Sequence, residues 1–144
     1  MRHSSQIEIL QPLTSVWAYF IDHNNLSQWL SGLVSHEIIS GSGREVGALA
    51  RHVYQENDRA FEFDERIKAR TDQQFFAHVL ENTYLDTHID YHFTATGDAT
   101  QVECHLLLEP KGFKMKLALP LYQHEVVQRH ENALNNLKVR VEGR

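Results

Sequence analysis

Arg59-Ala60-Phe61-Glu62-Phe63-Asp64-Glu65-Arg66-Ile67-Lys68 and Phe75-Phe76-Ala77-His78-Val79-Leu80-Glu81, parted by Thr71-Asp72, decide the fold of this chain. Side chains of a strand point alternately to its two faces, so each run presents one face to a core. Turn residues recur outward from this hairpin, at Gly41-Ser42-Gly43, Asn57-Asp58, Asn82-Thr83 and Gly97-Asp98. They cut residues 34–109 into six strands in series. Short loops between sequential strands make an antiparallel meander.

The flanks read differently. Ile7-Glu8-Ile9-Leu10 is a short strand, and Pro12-Leu13-Thr14-Ser15 opens a helical run through Ile21. A second short helix, about Asn25 to Leu30, ends at Gly32, a residue suited to a helix C-terminus. After Pro110-Lys111-Gly112 the apolar spacing becomes helical: Leu121, Val126, Val127, His130, Leu134, Leu137 and Val141. Pro120 suits the first turn of that helix, and residues 112–119 fit either an earlier turn or a loop. A single long helix has one large partner available, the sheet, which must curve around it. The expected fold is therefore α+β: a seven-stranded curved antiparallel sheet around a long C-terminal helix, with two short helices between strands one and two. Residues 1–144 form one domain.

Composition narrows the function. With 14 Lys+Arg against 19 Asp+Glu and a net charge of -5, the chain lacks the basic balance of a nucleic-acid binder. No apolar run approaches the roughly 20 residues of a membrane span. The Arg2-His3-Ser4-Ser5-Gln6 opening leads straight into a strand, so a cytoplasmic location is expected. The single Cys104 excludes an internal disulfide, and its apolar surroundings point to an inert buried thiol.

Two-residue loops at Asn57-Asp58, Thr71-Asp72 and Asn82-Thr83 would set Tyr54 against Phe61, His52 against Phe63, Glu65 against His78, and His78 against Thr87. One face then carries His52, Tyr54, Phe61, Phe63, Glu65, Phe76, His78, Thr87, Ile89 and Tyr91 among aliphatic residues. The opposite face carries His88, Asp90, His92, Glu103 and His105. These are metal-type ligands at alternating spacing, but on a wet face, so no intrinsic metal site and no cofactor are expected. Gly41-Ser42-Gly43-Arg44 joins two strands without a helix N-terminus behind it, and reads as a hairpin loop at the cavity rim instead of a phosphate loop.

The order of elements resembles the START-like (SRPBCC) superfamily, including the birch-pollen-allergen and polyketide cyclase/dehydrase families. Pro12 through Val16-Trp17, the Asn25-Leu26-Ser27-Gln28-Trp29 helix, Gly47 opening a strand, the Phe61-Glu62-Phe63-Asp64-Glu65 strand and the Leu134-Asn135-Asn136-Leu137-Lys138 helix carry the resemblance. It implies a helix-grip fold and an internal cavity for lipids, hormones, polyketides or quinones. It also implies that Trp29 sits near one end of that cavity.

The expected ligand-binding residues are Trp29, His52, Tyr54, Phe61, Phe63, Phe76, Thr87, Ile89, Tyr91, Tyr122, Val126 and His130. Glu65 and His78 are the catalytic candidates, because a Glu–His pair in an apolar cavity can move a proton at neutral pH. Three functions fit. The first is a binding module that holds a small hydrophobic or amphipathic molecule, such as a lipid, quinone or polyketide, in an internal cavity between the sheet and the C-terminal helix. The second is a cyclase or dehydratase-type enzyme. The third is a protein-interaction module whose cavity is filled. The chain fits a monomer or a homodimer.

Overall fold

The computed structural model describes residues 1–143; Arg144, the last residue of the expected domain, lies outside them. The elements run β1 (Arg2–Ile9), α1 (Leu13–Ile21), a 3-10 turn (His23–Asn25), α2 (Leu26–Trp29), β2 (Leu33–Ser40), β3 (Leu49–Glu56), β4 (Arg59–Thr71), β5 (Phe75–Glu81), β6 (Leu85–Thr96), β7 (Ala99–Pro110) and α3 (Gly112–Glu142). The seven strands form one antiparallel sheet in the order β1-β7-β6-β5-β4-β3-β2. The α+β helix-grip architecture expected from the sequence is the one observed.

Turn chemistry sets the register. Asn57 and Asp58 both adopt positive φ, 49° and 66°, which a two-residue type I′ hairpin requires. Tyr54 accordingly faces Phe61, and His52 faces Phe63. The next hairpin departs from expectation. Its loop holds Asp72, Gln73 and Gln74, with Gln73 at φ 63°, and Thr71 pairs with Phe75. An odd slip would turn the core face of β5 outward. A bulge at Lys68, between the pairs Ile67–His78 and Ala69–Ala77, absorbs one residue and restores the face. Glu65 therefore lies opposite Leu80, with His78 on the diagonal. The β5–β6 turn is centred one residue later than expected. The Asn82 side-chain oxygen accepts from the N–H groups of Tyr84 (2.9 Å) and Leu85 (2.8 Å), so Leu80 faces Thr87 and His78 faces Ile89.

Helix α1 starts where Pro12 accepts from the Val16 N–H (3.1 Å). It buries Val16, Trp17, Tyr19 and Phe20. Phe20 anchors the core: its ring meets Phe76, Tyr91 and Phe93 edge-on at 4.9–5.4 Å and tilts against Trp29. Such pairs add to burial, because ring edges and faces carry opposite partial charge. Helix α3 is longer than the Pro120–Val141 segment expected, beginning at Gly112, so Pro120 lies inside it. Its second half buries Val126, His130, Ala133, Leu134, Leu137 and Val141. In the first half Leu119 is buried, whereas Leu121, expected on the core face, is 79% exposed.

Both sheet edges have distinctive surroundings. The Lys138 Nζ of α3 donates to the Glu8 carbonyl of β1 at 2.7 Å. Strand β2 carries two register irregularities, between Leu33 and Ser35 and between Ile38 and Ser40.

Candidate functional site

The inner face of the sheet places Glu65 at the centre of a buried polar cluster. Its Oε2 accepts from the His78 Nδ1 at 2.6 Å. Its Oε1 lies 3.2 Å from the His52 Nε2 and 3.8 Å from the His36 Nε2. Strands β2 and β3 bring the two imidazoles together, because His36 pairs with His52 in register. The loop between these strands supplies Arg44. Gly41 sits at φ +83°, where a Cβ would come within 2.8 Å of the Ala48 Cα, so only glycine allows this tight return. Arg44 then turns inward. Its Nη1 donates to the Phe20 carbonyl at 2.9 Å, its guanidinium lies 4.4 Å from the centre of the Phe76 ring, and its Nη2 is 3.9 Å from Glu65 Oε2. Burial lowers the Arg44 pKa, and the Glu65 carboxylate and the Phe76 ring face offset this only in part.

The cluster sets one carboxylate and one guanidinium among three imidazoles. Burial pushes the Glu65 carboxyl up, but the surrounding imidazoles of His36, His52 and His78 outweigh it and hold it well below the ordinary carboxylate range. Of the three, only His78 makes a hydrogen bond of good geometry; the others act through proximity. Burial lowers the His78 pKa, and Glu65 only partly reverses this. The cluster thus holds an ionised Glu65, a charged Arg44 and a neutral His78. A neutral His78 donating through Nδ1 presents its Nε2 as a bare acceptor, and this buried atom has no partner. Chemically, Glu65–His78 can orient and hold a proton.

Two spaces bear on ligand binding, and no residue of the cluster lines either. One is a void of about 40 Å³ between sheet and helix, lined by Tyr54, Phe63, Leu80, Thr87, Val126 and His130 among others. That is room for a water or two, so the internal ligand cavity expected between sheet and helix is replaced here by packed side chains. The other is an open groove of about 770 Å³ at one end of the grip. Phe61, Phe63, Tyr84 and Leu85 form one wall, and Phe113, Met115, Tyr122 and Val126 of α3 form the other. Phe63, Leu85, Val126 and Arg129 line both spaces. Arg129 stands at this junction, its guanidinium 5.0 Å from the centre of the Phe61 ring and its Nε 3.4 Å from Glu56.

The expected site residues therefore divide. Tyr54, Phe63, Thr87, Val126 and His130 line the void, while Phe61 and Tyr122 join Phe63 and Val126 at the groove. His52, Glu65 and His78 meet in the polar cluster. Trp29, Phe76, Ile89 and Tyr91 are core residues and line neither space; Trp29 packs on Phe20 and is 1% exposed. Neither Glu65 nor His78 lines the void or the groove.

Arg44 and His36 escaped the sequence reading. His36 was reachable, since pairing β2 with β3 sets it beside His52, but two bulges obscure that register. An arginine among glycines and a serine carries no signal of burial. On the outer face, His88 contacts Glu109, His105 lies 2.7 Å from Glu103, and Ser4 Oγ lies 3.0 Å from the His105 Nδ1. These histidines are occupied by surface neighbours.

No protein-family model and no curated protein matches the chain. Solved structures do. The Zhui aromatase/cyclase from Streptomyces sp. R1128 superposes with a TM-score of 0.84 at 11% identity, covering 99% of this chain and 93% of that one. The protein TTHA0849 from Thermus thermophilus gives 0.80 at 19% identity, covering 98% and 97%. A START superfamily protein from Mycobacterium smegmatis gives 0.79 at 16%, covering 99% and 97%. At these identities the likeness is one of fold alone: the chain shares the helix-grip fold of these structures.

Proposed function

We propose that this START-like helix-grip chain is a binding module for a small hydrophobic or amphipathic molecule, such as a lipid, quinone or polyketide. The carrying observation is the aromatic groove of about 770 Å³ between the first half of α3 and the β3–β4 and β5–β6 turns. Its size falls within the range of small-molecule sites, and its aromatic and aliphatic walls are flanked by charged side chains, Arg59, Lys111, Lys114, Glu125 and Arg129, which suit an amphipathic ligand. Apolar contact supplies the affinity, at about 25 cal/mol per Å² buried before binding costs. The void behind the groove, with the Tyr54 and Thr87 hydroxyls and His130 around it, would take the ligand's polar end through one bridging water.

The location of Glu65 and His78 away from both spaces favours binding over cyclase-type catalysis. A cytoplasmic setting and a monomeric or homodimeric state belong to the same proposal. Among the described residues no helix is long and apolar enough to cross a membrane.

The test is a titration with 8-anilinonaphthalene-1-sulfonate. One saturable site per chain is expected, and Ala118→Trp, which places an indole in the groove, should weaken it about tenfold or more. Equal binding by both proteins would move the site elsewhere, and absence of saturable binding would end the proposal. Native mass spectrometry of freshly purified protein, followed by extraction, would then identify the natural ligand class.

A further inference from the structure

The polar cluster contains an arrangement that small-molecule binding at the groove does not use. One ring nitrogen each of His36 and His52 and a Glu65 carboxylate oxygen all lie within 4.8 Å of one another. Two of the separations, 3.2 Å and 3.8 Å to Glu65 Oε1, bracket the roughly 3.4 Å between ligand atoms around a tetrahedral ion with bonds of about 2.1 Å. The ligands converge from three adjacent strands, β2, β3 and β4, so a rigid sheet holds them.

A second, independent observation points the same way. The His52 side chain is 1% exposed, and its Nε2 has no hydrogen-bond partner; the His36 Nε2 is equally unpartnered and its side chain is 8% exposed. Buried imidazole nitrogens without partners carry a desolvation cost that a cation between them would remove. Glu65 is also prepared as a ligand. Its second oxygen is held by His78 at 2.6 Å, the outer hydrogen bond that commonly orients a ligating carboxylate. Arg44 lies on that far side, 3.9 Å from Oε2, and so does not occupy the space between Oε1 and the two imidazoles.

We propose that His36, His52 and Glu65 form a binding site for one divalent first-row transition ion, such as zinc or cobalt. Two imidazole nitrogens and one carboxylate oxygen suit such ions better than magnesium or calcium, which prefer all-oxygen shells. Three protein ligands leave a further position for water.

Cobalt(II) titration of chelator-treated, tag-free protein reads the site directly. One ion per chain should bind, with the visible absorption of a four- or five-coordinate centre. His36→Ala should weaken binding about tenfold or more, since it removes a ligand. His36 sits on a bulged edge strand, which keeps this variant foldable; circular dichroism without metal checks it, and added zinc should raise the melting temperature of the parent but not of the variant. The double variant His92→Ala/His105→Ala should bind as the parent does. No binding by the parent, or binding that survives His36→Ala and disappears in the double variant, would overturn the site and assign the ion to the outer histidines.

Discussion

Arg44 shows how far a single side chain can depart from what its neighbours in sequence announce. Flanked by Gly41, Ser42, Gly43 and Glu45, it reads as a solvated loop residue, yet it is 4% exposed and bonded to the Phe20 carbonyl. Sequence reading sees the turn residues; it does not see that the loop folds back over the open end of Phe76. Glu65, in contrast, was legible, because a carboxylate in an otherwise apolar alternation must have partners. Arg44→Ala removes the cation from beside a buried carboxylate and opens space over Phe20 and Phe76. We expect a loss of about 3–5 kcal/mol, measurable by urea denaturation at pH 7. A loss below about 1 kcal/mol would mean that Glu65 does not depend on it.

At the scale of elements, strand number, the serial pairing of the six later strands and the identity of the inner face were readable from alternation and turn residues, whereas the place of β1 beside β7 was not. Register was not, for the β4–β5 and β5–β6 hairpins. A three-residue loop plus a bulge gives the same facing residues as a two-residue loop, so period-two patterning cannot distinguish them. The two halves of α3 differ in the same hidden way. Phe113, Leu117 and Leu121 recur every four residues and are 67–79% exposed, so the first half forms a helix without burying that stripe. Pro120 also removes one backbone donor from the ladder. Amide hydrogen exchange should therefore be faster over residues 113–125 than over 126–142, by about tenfold or more. Uniform protection along the helix would show that the first half is as firmly held as the second.

For the molecule as a whole, the decisive feature is that the layers behind α3 are closely packed and the usable space lies at the mouth. The sequence could place aromatic residues on the inner face but could not say whether they fill it; Phe76, Ile89 and Tyr91 do. Close packing also ties stability to protons. Burial, then the nearby Arg129, lowers the pKa of His130 to about 3. The folded protein thus keeps His130 neutral while the unfolded chain protonates it below about pH 6.5. The unfolded state then binds more protons, so stability is constant above that value and falls as the solution is acidified towards pH 3. Between pH 7 and pH 5 the His130 contribution should be a loss of about 2 kcal/mol. His130→Leu should reduce the measured acid sensitivity by that amount, and an unchanged slope would assign the sensitivity to other groups.

The irregular pairing along β2 has a consequence beyond this fold. An outermost ribbon that is straight and greasy invites a second chain to add its own ribbon, and then a third. Val34, Ile38 and Ile39 are exposed there, so the raw material for such stacking is present. The two kinks break the row of unpaired amides into short pieces, while the lysine from α3 engages the opposite rim. This geometry works against edge-to-edge addition of a second chain while leaving apolar side chains at the border.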